Sequence, residues 1–257
     1  MLITSRYVSE APSDLNAFHL FPGTWSSRVP GISSTGLANL FRDERVKWCL
    51  SSLDTPGDVL ELGPLEGGHT WQLEQAGWKV TAVEANELAF IKCLLTKNYL
   101  GMNAKFVLGD FTEGGFITKR KWDLVFASGV LYHMADPVSL LKDISMATDR
   151  IFLWTHYFEP DLSLWNESVR HKVGTKWLVY SEQIISVGNH KIRIVPQLYE
   201  EALGWAGFCG GPKNYSSWVY KDDLLNLLKV LGFSKLEVGF DDPGHVNGPS
   251  FAVLASK

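Results

Sequence analysis

Val59-Leu60-Glu61-Leu62-Gly63-Pro64-Leu65-Glu66-Gly67-Gly68-His69-Thr70 sets the architecture of this chain. Two apolar residues lead into an acid, and a glycine follows two positions later. A glycine pair comes next, and a helix-like segment begins there. This is the pattern of a buried parallel strand that turns over a glycine-rich loop into a helix. Such a turn brings bare backbone against a ligand, an approach that glycine permits sterically. The acid stands at the carboxyl end of the strand, the edge at which open α/β sheets bind ligands. Twenty-one residues past Gly63 comes Glu84, which ends a second predicted strand, Val80-Thr81-Ala82-Val83-Glu84. An acid there accepts hydrogen bonds from both hydroxyls of a ribose. The two strands together predict a nucleoside-containing cofactor.

NAD and S-adenosylmethionine (SAM) both use this architecture. Gly63 and Gly68 stand in the register of the dinucleotide pattern G-x-G-x-x-G, but Leu65 takes the middle place. That glycine lets a pyrophosphate approach, and SAM has no pyrophosphate. A carboxylate at Glu61 repels phosphates and suits the ammonium of a methionine moiety. Further along, Lys105-Phe106-Val107-Leu108-Gly109-Asp110-Phe111 reads as a third strand with a polar end. Asp110 is placed to accept from an adenine amino group and Phe111 to stack on the ring. A fourth buried strand lies in Trp122 to His133 and runs into the polar loop Ser128-Gly129-Val130-Leu131-Tyr132-His133.

The order and spacing of these segments resemble a class I SAM-dependent methyltransferase over residues 55–155, and the C-terminal helix-strand-strand fits as well. The resemblance implies that Glu61, Gly63 and Gly67 hold the methionine end and Glu84 the ribose. It assigns Asp110 and Phe111 to the adenine and Ser128 to the methionine portion. More locally, Gly67-Gly68-His69-Thr70-Trp71, with Gly129 to His133 and Pro137, is similar to the tRNA wobble-uridine carboxymethyltransferase group. Those enzymes hold a carboxylated SAM through a tyrosine matching Tyr132 and a basic residue in a tryptophan-rich N-terminal segment. Here the comparable segment is Phe21 to Arg28, in which Arg28 is the basic residue. Ordinary SAM is the cofactor expected.

The 257 residues suffice for one α/β domain with an insertion, and the 46% apolar fraction is that of a globular protein. The net charge of −4 advertises no basic patch for nucleic acid. Lys172, Lys176, Lys191 and Arg193 give one mild bias, read as a solvated face, so tRNA is not the expected partner. Cys49, Cys93 and Cys209 show no CxxC spacing and read as reduced thiols of a cytoplasmic protein. The N-terminus lacks a signal pattern, and no apolar run approaches the ~20 residues that span a membrane. The histidines show no metal-ligand spacing, and no metal is expected.

Four parts are expected: an N-terminal segment and leading helix (1–54), a Rossmann-like SAM-binding core (55–156), a substrate cap insertion (157–220), and a C-terminal helix with two strands (221–257). The fold expected is a doubly wound seven-stranded sheet, mostly parallel with an antiparallel last strand, and a cap inserted after strand five. A single helix is predicted from Thr35 to Ser51, and residues 1–33 are read as irregular. The insertion holds Trp165, Trp177, Tyr180, Tyr199, Trp205, Phe208, Tyr215 and Trp218, either a small core of its own or stacking surfaces for an acceptor. It leaves strand five on the ligand edge, and the loop Asp241–Pro249 meets it there. A roofed pocket is therefore expected, lined by Tyr132, His133, His156 and part of the insertion, with His245 at the rim.

Methyl transfer to a hydroxyl requires a base, and histidine suits the task. His133, His156 and Tyr132 are the candidate catalytic residues. The plain alternatives are a loop-orienting histidine, an anchor for the cap and a packed aromatic. His69 is read as a cofactor contact or a local cap. The activity this predicts is methyl transfer to a small-molecule or glycan-like acceptor, at oxygen. A tRNA-modifying methyl- or carboxymethyltransferase and a non-catalytic SAM- or partner-binding protein are the rival readings. An NAD oxidoreductase is disfavoured by Leu65 and Glu61.

Overall fold

The computed structural model describes residues 7–167, 169–170, 182–200, 203 and 210–257. Strand β1 (Asp58–Leu62) is the pivot of the main sheet. It pairs in parallel with β2 (Lys79–Glu84) on one side and with β4 (Leu124–Ser128) on the other. Beyond β2 lies β3 (Lys105–Leu108); beyond β4 lie β5 (Arg150–His156), β10 (Ser250–Ser256) and β9 (Lys235–Asp242). The seven-stranded order is β3-β2-β1-β4-β5-β10-β9, with β10 antiparallel to both neighbours. This is the doubly wound sheet that the sequence predicts.

Both faces of the central strands are buried, which is why they read as continuous apolar runs. Leu60, Val125, Ile151 and Val253 face one way and pack with α5 (Pro137–Ala147) and α6 (Lys221–Val230). Val59, Leu124, Phe126 and Phe152 face the other way, toward α2 (Glu44–Ser51) and Leu73 of α3 (Gly68–Gln75). Helix α4 (Glu87–Leu100) packs beside β2 and β3. Local signals fix the helix ends. Asn86 accepts from Ala89 N and Asp136 from Ser139 N, while Gly101 closes α4 at φ 65°. Cys49 and Cys93 are buried free thiols; Cys209 lies outside the described residues.

The predicted helix Thr35–Ser51 is corrected: α2 begins only at Glu44, after a short 3-10 turn at Leu40–Arg42. Competing hydrogen bonds explain the difference. Gly36 N donates to Ser27 O and Ala38 N to Ser26 O, each at 2.9 Å, so this backbone is committed to the N-terminal segment. Asp43 then caps α2 through Arg45 N. The N-terminal segment, read as irregular, contains one short helix, α1 (Asp14–Phe18). Phe18, Trp25, Val29, Ile32 and Phe41 form a satellite core against Leu95 and Tyr99 of α4.

After β5 the described part of the insertion forms a second sheet. Strands β6 (Gln183–Val187), β7 (His190–Leu198) and β8 (Tyr215–Val219) pair antiparallel in that order. Ser217 of β8 donates from its amide to Met134 O and from its hydroxyl to Ala135 O, at 2.8 and 2.9 Å. The small sheet is thus tied to the loop after β4. Trp165, Val169, Val195 and Trp218 pack together with Tyr132. Lys172, Lys176, Trp177, Tyr180, Trp205 and Phe208 lie outside the described residues.

One buried acid fastens the N-terminal segment to the glycine loop. Glu66 accepts from Ser26 N and Ser27 N at 2.9 and 2.6 Å and pairs with Lys92 of α4 at 3.1 Å. Lys92 also donates to Thr24 O. Both side chains are buried, so removing one leaves the other charge unpaired. Glu66→Ala is expected to lower stability by about 3–5 kcal/mol in chemical denaturation. A loss below about 1 kcal/mol would show that the carboxylate is not a structural tie.

Candidate functional site

A crevice opens at the carboxyl edge of the sheet between β1 and β4, where the strand order reverses. It holds a cavity of about 200 Å³. Gly63, Pro64 and Leu65 form one wall, with Glu84 after β2, Asp110 and Phe111 after β3, and Ser128 and Gly129 after β4. Opposite stand Leu40, Arg45, His69, Tyr132, His133, Met134 and Trp154, with Gly210, Gly211 and Pro212 from the insertion.

The turn into α3 needs left-handed backbone three times: Gly63 at φ 63°, Leu65 at 57° and Gly67 at 81°. A Cβ on Gly63 would come within 3.0 Å of Val130 Cγ2, and one on Gly68 within 2.8 Å of the Leu40 backbone. Leu65 has no such licence, and neighbours hold it. Its amide donates to Glu84 Oε2 at 3.1 Å, and its carbonyl accepts from Cys93 Sγ at 3.4 Å.

Glu84 therefore faces the cleft while bracing the loop, and its other oxygen accepts from Asn86 N at 2.9 Å. Burial raises its pKa against the lowering effect of the Asn86, Leu65 and Ala85 amides. Glu61 lies below the loop and is fully buried, outside the cleft wall. Its Oε2 accepts from Thr70 Oγ1 at 2.5 Å, and its Oε1 has no partner among the described residues. Burial pushes its pKa up to about 8, with Glu84 adding to the shift and Thr70 opposing it. Asp110 is fixed by Thr112, whose amide and hydroxyl donate at 2.9 and 2.6 Å. The Ser128 hydroxyl is buried without a partner among the described residues.

Of the predicted catalytic residues, Tyr132 and His133 line the cleft. His133 Nδ1 lies 2.9 Å from the Tyr199 hydroxyl. Burial, then repulsion from His156, pushes the His133 pKa down to about 3. His156 departs from the expected position. Its ring lies behind Tyr132, stacked on Trp218 at 5.3 Å, and Nδ1 donates to Gly248 O at 2.8 Å. The carbonyls at the end of the Asp241–Pro249 loop hold it there. Burial lowers its pKa to about 4, with His245 and Arg45 adding to the shift. His245 contacts His156 and Trp154 and does not border the cleft. Arg28 is exposed and likewise stands apart from the lining.

Two residues that sequence reasoning missed, Asp43 and Arg45, pair beside His69, and of the two Arg45 lines the cleft. Asp43 accepts from Arg45 Nε and Nη2 and from His69 Nε2, the last at 2.9 Å. Arg45 lies over the Trp154 ring at 4.1 Å. The signal was an Asp one residue before a charged helical start, hidden by reading the helix from Thr35. Among the described residues no group of three or more His, Cys, Asp and Glu is placed to hold a metal ion. No described helix is long and apolar enough to cross a membrane.

Residues 60–148 match the family described as a methyltransferase domain. No curated protein matches the chain. Its fold is similar to the N-terminal domain of EvdMO1 solved with S-adenosylhomocysteine (SAH) bound. The two are 20% identical over 95% of this chain and 94% of that one, with a TM-score of 0.67. The same domain was also solved in the presence of SAH and D-fucose. Magnesium protoporphyrin IX methyltransferase (ChlM) from Synechocystis PCC 6803, with bound SAH, is similar at 16% identity over 84% and 81% of the chains, TM-score 0.55. The Burkholderia thailandensis 1,6-didemethyltoxoflavin-N1-methyltransferase is similar at 15% identity over 85% and 78%, TM-score 0.52. At these identities the likeness is one of fold.

Two measurements probe the loop. A left-handed leucine costs roughly 1–2 kcal/mol, partly offset by glycine's greater unfolded-state entropy. Leu65→Gly is thus expected to stabilise the protein by about 0.5–1 kcal/mol in denaturation; a loss of stability would refute the strain. For Glu61, the folded protein keeps a proton that the unfolded chain has lost, from about pH 4.5 up to about 8. Stability must fall as pH rises through that window, at up to about 1.4 kcal/mol per unit. Glu61→Gln is expected to match the parent near pH 5 and exceed it near pH 8. Parallel stability curves would contradict this assignment.

Proposed function

We propose that the chain is a SAM-dependent methyltransferase whose acceptor is a small hydroxylated molecule of sugar-like size, attacked at oxygen. The observation that carries the reading is the single crevice in which Glu84, Asp110, Phe111 and Ser128 follow one another along the strand ends. The match of residues 60–148 to a methyltransferase domain supports it. So do the SAH-containing structures of similar fold, one of them obtained with D-fucose present.

The site's own polar atoms suit this cofactor. Glu84 would take the ribose hydroxyls, Asp110 the adenine amino group, and Phe111 the face of the ring. Ser128 Oγ and Glu61 Oε1, both without partners among the described residues, suit the methionine end, where an ammonium would stabilise the carboxylate form of Glu61. Bound there, SAM would supply a sulfonium methyl whose C–S bond would break, its electron pair left on sulfur, as the acceptor's C–O bond formed, leaving SAH and a proton. Tyr132 and His133 meet the acceptor, and Gly210 to Pro212 close the mouth. His133 stays neutral across the working pH range and orients a hydroxyl by hydrogen bonding. His156, behind Tyr132, keeps that ring in place. Trp154 and Tyr132 offer apolar faces to a sugar ring. Excluding water here strengthens the charges that guide transfer.

Calorimetry and a transfer assay test this reading. Each charge-assisted hydrogen bond to the ribose is worth about 1.5–3 kcal/mol. Glu84→Ala should therefore weaken SAM roughly tenfold or more. Labelled SAM offered with a panel of monosaccharides, D-fucose among them, and of phenols should yield methyl ethers. Unchanged SAM affinity in the variant would refute the ribose position. Transfer to amines alone would refute oxygen as the acceptor atom.

A further inference from the structure

The geometry points to His69, held by Asp43, as the general base that takes the acceptor's proton. The inference rests on the methyl-transfer reading and adds the residue that completes it. His69 is the second residue of α3, so the glycine loop delivers its ring to the cleft wall. Asp43 comes from outside the core pattern, as the capping residue of α2.

The Asp43 carboxylate can only accept hydrogen bonds while ionised. Burial alone would raise its pKa, but the hydrogen bonds from His69 and Arg45 win and hold it far below the usual carboxylate range. Arg45 engages both carboxylate oxygens, which fixes the carboxylate plane. His69 Nε2 must then carry the proton it donates at 2.9 Å. This leaves Nδ1 as the bare nitrogen of the neutral ring. It has no hydrogen-bond partner among the described residues, and the residue lines the cleft. An imidazole whose far nitrogen is clamped by a carboxylate is oriented and is stabilised once it gains a proton.

The other cleft histidine is a poorer candidate. His133 has no carboxylate partner among its described contacts, and burial makes its ring a weak base. The charged groups around His69 are Asp43 and Arg45 of α2 on one side and Glu61 of β1 beneath the next residue, Thr70. From β4 it meets the edge of Phe126. The Arg45 charge in turn disfavours the protonated forms of His156 and His245. The proton released as the C–O bond forms passes to His69 Nδ1 and then to solvent at the cleft mouth.

The test uses the full chain, with His69→Gln and Asp43→Asn. Asparagine also caps helices well, so the second variant keeps α2. Against a monosaccharide that the parent methylates, His69→Gln should lower the single-turnover rate by roughly 10²–10⁴. Its SAM affinity should stay within about threefold, below 1 kcal/mol. Asp43→Asn should cost roughly tenfold or more through the wrong tautomer. Imidazole ¹⁵N shifts, read without cofactor, should show the Nε2–H form of His69 in the parent and a mixture in Asp43→Asn. An Nδ1–H form in the parent, or a parent-like rate in His69→Gln, overturns the proposal. A large loss of SAM affinity with an unchanged single-turnover rate makes His69 a cofactor contact and overturns it too. No SAM binding by the parent chain sinks the methyl-transfer reading itself, and this inference with it.

Discussion

The turn from β1 into α3 is the constraint on which the rest depends. Within five residues it places three in left-handed backbone, one of them a leucine. Such backbone persists only where its surroundings over-determine it. Here the surroundings are specific. Glu84 accepts the Leu65 amide, Cys93 reaches the Leu65 carbonyl, and Glu66 reaches out of the loop to bind Ser26, Ser27 and Lys92. A loop built to present bare backbone thus spends its own side chains on securing itself. The N-terminal segment is part of that support, because its amides satisfy the carboxylate that the turn buries.

The same turn gathers buried carboxyl groups. Glu61 and Glu84 are both raised in pKa, chiefly by burial; Thr70 offsets part of the shift at Glu61, where Glu84 adds to it, and backbone amides offset part at Glu84. The protein alone therefore holds these acids at a cost, and Glu61 keeps an oxygen without a described partner. A cation arriving at this end would be stabilised by groups already in place, with little reorganisation. The opposite end is arranged differently. Asp43 is paired with Arg45 and hydrogen-bonded to His69, and aromatic rings separate that cluster from the small sheet.

The central sheet was legible because its strands are buried on both faces and each ends in a polar residue on one edge. Pattern and topology there carry the same information. The caps at Asn86 and Asp136 and the glycine stop at Gly101 are local features of the same kind. The leading helix was misjudged because apolar spacing from Leu37 to Leu50 mimics one helical face. The bonds that keep residues 36–38 out of the helix come from Ser26 and Ser27, a pairing that no local pattern reveals. His156 shows the same limit. Its place at the end of β5 was readable, but its direction is set by Gly248 and Pro249, ninety-two and ninety-three residues away.

The pairing of Asp43 with His69 shows what kind of information a sequence withholds. Neither residue stands in a spacing that signals chemistry, and they are twenty-six residues apart. Each was explicable locally, one as a helix cap and the other as part of a glycine loop. Only the packing of α2 against α3 makes them one unit, and Leu40 against the backbone of Gly68 sets that packing. A side chain at Gly68 would push the two elements apart. The glycine pair that first suggested a cofactor loop therefore has a second role in the fold. Gly67 supplies the left-handed turn, and Gly68 supplies the close approach that brings a carboxylate to the histidine.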